Sequence, residues 1–446
     1  MKIITSKTEL TIQDMAEIIS VHGAEYRRKL TLKKYYNGEH SILKKRGREN
    51  TDINNRLVSN YPAYISNIST GFFLGQPVTY KAATENQAAL DTLLGIFKYN
   101  DEAAHNLNLA EESSVVGAAF EILYLDGDAK IRFSTVPSEE IILVVDSTLE
   151  ENILYALRHY RIYGFNLVSY DEYVDVYDRR NVNHYSYGGG SLKLLSTTPH
   201  FFDDVPVVEY PNNRQRRGDF EDVLSLVDAY NLAQSLTADD LADFTDAFLL
   251  IKGLHIGDDD AAKDLRRRKI IELEDSGDAR WLIKDLNDTY VENFKIRLQK
   301  DIHKFSNIPD MSDDSFSGNT SGVAIKYKLI GLEQVRSRKE REFKKALQRR
   351  IELISGILTL KSLPPVDFRD IDIQFTANIP ANTAELAQIV TSLDGIVSQK
   401  TLLGLLPFVT DAAAELDELN EERGVEDVRD FNADIGGDDA DIGLDT

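Results

Sequence analysis

The sequence predicts an α+β protein, mainly helical, on three observations. Apolar residues recur at helical spacing over long stretches, above all 12–36, 220–251 and 323–360. The stretch 140–210 instead crowds tyrosines and β-branched residues between turns, as strands do. The 446 residues are 42% hydrophobic and 28% charged, the composition of a folded soluble chain with about two or three domain-sized units.

The elements follow in order. "IQDMAEIISVHGAEYRRKLTLKKYY" predicts a helix over 12–36 that Asn37 and Gly38 close. "NNRLVSNYPAYISNISTGFF" predicts another over 54–73, and Gly75 and Pro77 punctuate the chain before a strand. Helices are expected at Glu85–Phe97 and Asp101–Val116. "AFEILYLDGDAKIRFSTV" then gives two alternating runs around Asp126 and Gly127, a hairpin signal. "ILYALRHYRIY", "YDEYVDVYD" and "NHYSY" are strands, with "GGGS" (188–191) a hairpin tip. "VPVVEYPNN" is a buried strand stopped by Pro211 and Asn212, before an exposed turn and a helix capped near Asp219.

From Phe220 to Ile251 the expectation is a helix with a possible break at Thr237, on which Leu241, Phe244, Phe248 and Ile251 share a face. Strands are expected around Ile270–Leu273 and Trp281–Ile283, and a helix from Asp288 to Phe305. A polar loop, "DDSFSGNTSG", leads into a helix over Val323–Leu360. Unbroken, it would be roughly 55 Å long at ~1.5 Å per residue, with Gly331 and Gly356 as expected bends. Its "RSRKERE" is polar all round, so it must meet solvent or charged neighbours. Ile371, Ile373 and Phe375 alternate as a half-buried strand. Two short capped helices, "NTAELAQIVTSLDG" and "SQKTLLGLLPFV", precede an acidic tail that composition predicts to be disordered.

No apolar run approaches the ~18 residues of a membrane span. "MKIITSKTEL" lacks the apolar core of a secretory signal, so synthesis in the cytoplasm is expected. There is no cysteine, which removes disulfides, thiolate metal sites and a cysteine nucleophile. The net charge is −23, and Asp411–Thr446 holds 14 acidic and 2 basic residues. Lys326–Arg350 runs the other way, with 10 basic and 3 acidic residues. This balance argues against a tight grip on duplex DNA and leaves room for a weak or sliding contact.

The chemistry is sparse. Gly318 and Gly322 are followed by Thr-free, Lys-free apolar sequence at 323–325 rather than by the Lys-Ser/Thr of a phosphate loop, and Thr320 or Ser321 as a helix cap explains the residues. "SILK" (41–44) matches S-x-x-K without its companion motifs. The eight histidines have no metal-ligand spacing, and "GDDD" (257–260) and Asp370/Asp372 are acidic pairs of the kind found on solvated loops. Asp239, Asp243 and Asp246 form an acidic stripe on the helix after residue 220, most simply a solvated face. No active site and no cofactor is expected. A nucleotide- or metal-dependent enzyme on nucleic acid, using Ser317–Ser321, is the alternative.

Three groups of words, taken together, resemble the portal proteins of tailed double-stranded-DNA bacteriophages, in particular those of phages of Gram-positive bacteria: "NNRLVSNYPAYISNISTGFFLGQPVTY"; "DVPVVEYPNN" with "RGDFEDVLSLVDAYN"; and "FSGNTSGVAIKYKL" with "EREFKKAL". The resemblance spans most of 20–425. It implies a ring of about twelve copies with head-to-tail contacts at one capsid vertex. It divides the chain into a wing (1–227), stem helices (228–251 and 286–307) around a clip (252–285), a tunnel loop (308–322), a long wing helix and strand (323–380), crown helices (381–428) and the disordered tail (429–446).

It also implies partners: a terminase packaging motor, major capsid and scaffolding proteins, head-completion or adaptor proteins, and double-stranded DNA without sequence preference, with no membrane. Under it, Asp313, Asp314, Ser315, Ser317, Gly318, Asn319, Thr320 and Ser321 would reach into the channel. Asp239, Asp243 and Asp246 would form an acidic stem face that lets phosphates slide, and Arg266, Arg267, Arg268 and Lys269 would serve docking at the clip. The implied location is the virion, and the host cytoplasm during assembly.

Overall fold

Thr11 opens the first helix with a reciprocal cap. Its hydroxyl accepts from the Asp14 amide, while the Asp14 carboxylate accepts from the Thr11 amide. Helix α1 (Ile12–Tyr36) follows over the span read from the sequence. The computed structural model describes residues 1–47, 53–82, 87–245, 248–252, 278–282, 288–312, 322–378, 383–406, 409 and 412–421. They divide into two units, Met1–Asn378 and Ile379–Thr446.

In the first unit, Met15, Ile18 and Ile19 of α1 pack on a six-stranded sheet. Its order is β1 (Lys2–Ile4), β5 (Ile141–Val145), β6 (Ile153–Tyr163), β7 (Tyr170–Tyr177), β8 (Asn181–Gly188), β9 (Ser191–Pro199). β1 joins β5 in parallel and the other neighbours are antiparallel. The β8–β9 turn is the expected glycine tip, with Gly189 and Gly190 at φ +59° and +79°. The opposite face packs through Ile141, Leu143 and Ala156 on a three-stranded sheet, β10 (Val207–Pro211), β3 (Ala118–Leu125) and β4 (Ile131–Val136). β3 and β4 form the expected hairpin.

Helices α2 (Tyr61–Leu74), α3 (Gln87–Tyr99) and α4 (Glu102–Val116) build the rest of the body. A short pair, β2 (Thr79–Ala82) and β13 (Ile371–Gln374), lies beside them. α5 (Leu224–Thr245) and α6 (Asp288–Ser306) start and end in one core cluster, where Val223 and Val227 meet Ile302 and Ile308. Between them β11 (Phe248–Lys252) pairs antiparallel with β12 (Asp278–Leu282). With Val227 near Ile302 and Gln234 accepting from Lys295, α5 and α6 run antiparallel.

The long helix is α7 (Gly322–Lys328) and α8 (Ile330–Leu360), broken at Leu329. Gly331 and Gly356 are not the break points. The helix continues through both, and their missing side chains admit neighbours: an added Cβ would lie 3.3 Å from the Asn307 carbonyl oxygen and 2.7 Å from Asp203 Oδ2, respectively. α8 lays Phe343, Leu347, Ile351, Ile354 and Ile357 into the largest core cluster, against α3 and the small sheets.

Three further expectations change. Residues 53–60 form neither helix nor ladder strand, and α2 begins only at Tyr61, with the Asn60 side chain as its cap and Pro62 in its first turn. α5 ends at Thr245, so Phe248 and Ile251 belong to a strand; a short apolar run has no period of its own, and pairing with β12 decides it. Asp219 is no cap. It is buried as an acceptor for Lys339, Asn212 and Ser114.

The second unit contains α9 (Thr383–Leu393), α10 (Gln399–Leu403), whose cap is Ser398, and a helical stretch over 412–421. The residues from 422 onward, including the tail, lie outside the described residues.

Candidate functional site

The α5–α6 pair and the segment that ties it to the body form the candidate site. From Val223, just before α5, and along the helix, Val223, Val227, Asn231, Ser235 and Asp239 follow one another at four-residue steps, and all are buried. The first two are apolar and enter the core. The last three meet the segment 53–60, whose alternate amides from Asn55 to Ser59 donate to them in turn. Asn55 N reaches Asp239 Oδ1 at 2.6 Å, Leu57 N reaches Ser235 Oγ at 2.9 Å and Ser59 N reaches Asn231 Oδ1 at 2.8 Å. A strand-like strap is thus hydrogen-bonded to helix side chains instead of to another strand, which satisfies amides that the body would otherwise leave unpaired.

Both ends of the strap are reinforced. Lys45 Nζ lies 2.6 Å from Asp239 Oδ2, and Asn55 Nδ2 adds a bond at 3.0 Å. Burial works to raise the Asp239 carboxyl, but Lys45 and Asn55 outweigh it and hold it below its ordinary 3.8. At the other end His40 Nε2–H donates to the Tyr35 carbonyl, which leaves Nδ1 to accept from Asn231 Nδ2 at 2.8 Å.

α8 is anchored by charges. Lys339, buried within "RSRKERE", reaches Asp219 at 2.5 Å and Asn212 at 2.6 Å, while Arg336 sits between Glu333 and Glu340. Burial pushes the Lys339 ammonium down against the pull of Asp219; it would raise Asp219, whose carboxyl Lys339 and two hydrogen-bond donors hold down. One turn below Ala346, Arg350 is fully buried. Its guanidinium contacts Glu121 at 2.8 Å, Glu102 at 3.3 Å and Asn106 at 2.9 Å, and lies over the Phe133 ring. Burial would raise Glu121, yet Arg350 and His105 bring it down to about 2. Arg338 and Arg341 remain exposed, so "RSRKERE" meets both solvent and charged neighbours.

Of the residues singled out in the sequence, Asp239 is placed fully and differs from expectation. It is 2% exposed, under the strap, so it forms no part of an open acidic face. Asp243 lies in α5 with its side chain outside the described residues, and Asp246 lies outside them altogether. Residues 313–321, with Asp313, Asp314, Ser315, Ser317, Gly318, Asn319, Thr320 and Ser321, and 253–277, with Arg266, Arg267, Arg268 and Lys269, also lie outside them. Ser41 of "SILK" donates to Asp228 at 2.8 Å. Among the described residues no group of three or more His, Asp or Glu is placed to hold a metal ion, and no helix is long and apolar enough to cross a membrane.

The sequence reading missed Asn231 and Ser235. Their signal was available: small polar residues continue the apolar row of Val223 and Val227 at the same four-residue step.

Comparison with known proteins places these elements in a wider group. A family described as "Phage portal protein, SPP1 Gp6-like" matches residues 16–427. The chain is similar to the portal protein of Clostridium phage phiCD119, with 26% identity over 433 residues, covering 90% of this chain and 94% of that one. It is also similar to the portal protein of Bacillus phage SPP1, at 24% identity over 425 residues, covering 87% and 82%.

Proposed function

The chain belongs to the SPP1 Gp6-like family of phage portal proteins and has a portal function; from this we propose that about twelve copies close head-to-tail into a ring at one capsid vertex. Double-stranded DNA passes through the ring during packaging and ejection, without sequence readout. The family is structural, and no catalysis by this chain is part of the reading.

The observation that carries the regional assignment is the excursion between α5 and α6. The chain leaves one core cluster on α5, passes through the β11–β12 pair, and returns on antiparallel α6 to the same cluster. We assign the stem to these two helices, and the clip to the strand pair with the residues between them. The clip is the surface for the packaging motor and later for head-completion proteins, with Arg266, Arg267, Arg268 and Lys269 as contacts. The body to residue 227 is the wing, 308–322 the tunnel loop, and 381–428 the crown. Capsid and scaffolding proteins meet the ring at its periphery. The finished protein resides in the virion, after assembly in the host cytoplasm. The net charge of −23 supports a conduit that lets DNA slide rather than one that binds it tightly.

Class averages of the purified protein test the ring: closed rings are expected, and a monomer or dimer under all conditions would refute it. Deleting 313–321 tests the loop. Rings should still form while DNA packaging is lost, and normal packaging by the deleted protein would end the tunnel-loop assignment.

A further inference from the structure

Helix α5 buries a polar row and exposes leucines. Asn231, Ser235 and Asp239 are turned inward to the strap, while Leu232 and Leu236, one turn apart, are 44% and 37% exposed. Rotating the helix to cover the leucines would break every strap bond at once. Their exposure is therefore enforced by the fold, and such a row calls for a covering surface.

α6 exposes a face of different character. Phe294 is 44% and Phe305 56% exposed, and Arg297, Lys300 and Lys304 are exposed beside them. Phe294, Arg297 and Phe305 recur at steps of three and eight, so they share one side of the helix. Among the described residues Arg297 and Lys300 have no ion-pair partner. α5 has no Lys or Arg, and since Asp239 is buried against Lys45, the charge beside the leucines is that of Asp228, one turn before Leu232. Among the described residues Asp228 is held by the hydroxyls of Tyr35 and Ser41 and by no cation.

We infer that the leucine face of α5 in one copy packs against the Phe294–Arg297 face of α6 in the next. This rests on the ring reading above and adds which two surfaces meet. Apolar residues oppose apolar residues, and Asp228 at the head of the leucine row opposes Arg297 and Lys300. The two faces differ, as a head-to-tail contact requires and a two-fold contact does not. Each copy uses both faces, so the contact repeats until the ring closes.

The test uses two full-length variants, L232D/L236D on α5 and F294D/R297E on α6, studied alone and mixed by native mass spectrometry. All four positions are exposed, so melting temperatures should match wild type; if the aspartates disturb folding, L232S/L236S and R297E/K300E serve instead. Wild type should form rings and each variant alone should lose them. The equimolar mixture should give heterodimers that grow no further, because one intact α5 face meets one intact α6 face and both remaining faces are broken. Rings from either variant alone, or a mixture that stays monomeric, would overturn the pairing while leaving the ring in place. A wild type that never assembles would remove the ring reading itself, and the pairing with it.

Discussion

Arg350 and Glu121 are 229 residues apart in sequence and 2.8 Å apart in the fold, both fully buried. Removing the cation leaves a carboxylate without its main partner in the interior. Arg350→Met is expected to destabilise the protein by about 3–5 kcal/mol, read from urea denaturation. Because Glu121 is depressed to about 2, its contribution is complete above its ordinary value of 4.5 and is lost as pH falls through about 2. A wild-type curve that loses this stability already between pH 7 and 5 would contradict the assignment.

The strap predicts a pattern of hydrogen exchange. The amides of Asn55, Leu57 and Ser59 should be protected, and those of Arg56 and Val58 between them should exchange fast. Asp239→Ala leaves the Asn55 amide and Lys45 without their acceptor and should cost about 2–4 kcal/mol. Protection should fall first at Asn55. Uniform protection along 55–59 would mean a different pairing.

Two glycines should respond differently to alanine. At Gly117, φ is +94° and a Cβ would lie 2.1 Å from the Arg216 carbonyl oxygen, so Gly117→Ala should cost about 2–4 kcal/mol. At Gly356 the obstacle is the end of the Asp203 side chain, which can turn away, and alanine gains about 1 kcal/mol in helix propensity. Gly356→Ala should therefore melt close to wild type. Equal losses at both sites would count against these environments.

Lys29 is buried, donates to the Ser138 carbonyl oxygen, and has its ammonium pushed down from 10.5 to about 8, burial being the main cause. The unfolded chain then holds the proton more tightly between those values. The penalty is complete below about pH 8 and is relieved as pH rises toward 10.5, on the order of 3 kcal/mol. Lys29→Met lacks this titration. Wild type should gain stability relative to the variant across that window, and a constant difference would show that Lys29 is not depressed.

Much of the fold was legible in local pattern. The 12–36 helix, the 119–136 hairpin and the Gly189–Gly190 turn each had period, cap or turn chemistry within a few residues. What escaped depended on distant partners. The segment before Tyr61 runs into a helix with no strong stop signal, yet its amides are taken by side chains 172 to 184 residues later. Asp239 belonged to a plausible acidic stripe, and nothing near it announced Lys45, 194 residues away. Phe248–Lys252 is too short to show a period, and Gly331 and Gly356 looked like bends because close approach leaves no local signature. Membership in the portal family was legible because it lay in the order of several words, which no single contact determines.

The strap also works as a vernier. Two residues of strand advance about 6.6 Å, and four residues of helix about 6.0 Å. With Leu57 and Ser235 in register, the outer pairs are each out by roughly 0.6 Å, within the tolerance of a hydrogen bond. The scale stops where the chain changes: Tyr61 starts α2, and Val227 offers no acceptor. Sliding α5 by one residue, about 1.5 Å, would misplace all three acceptors together. Beside this strap the helix has a detent rather than a continuous glide. The next matching position is a whole four-residue step away, pairing Asn55 with Ser235 and Leu57 with Asn231, while Ser59 would face Val227 and Asp239 would lose its amide.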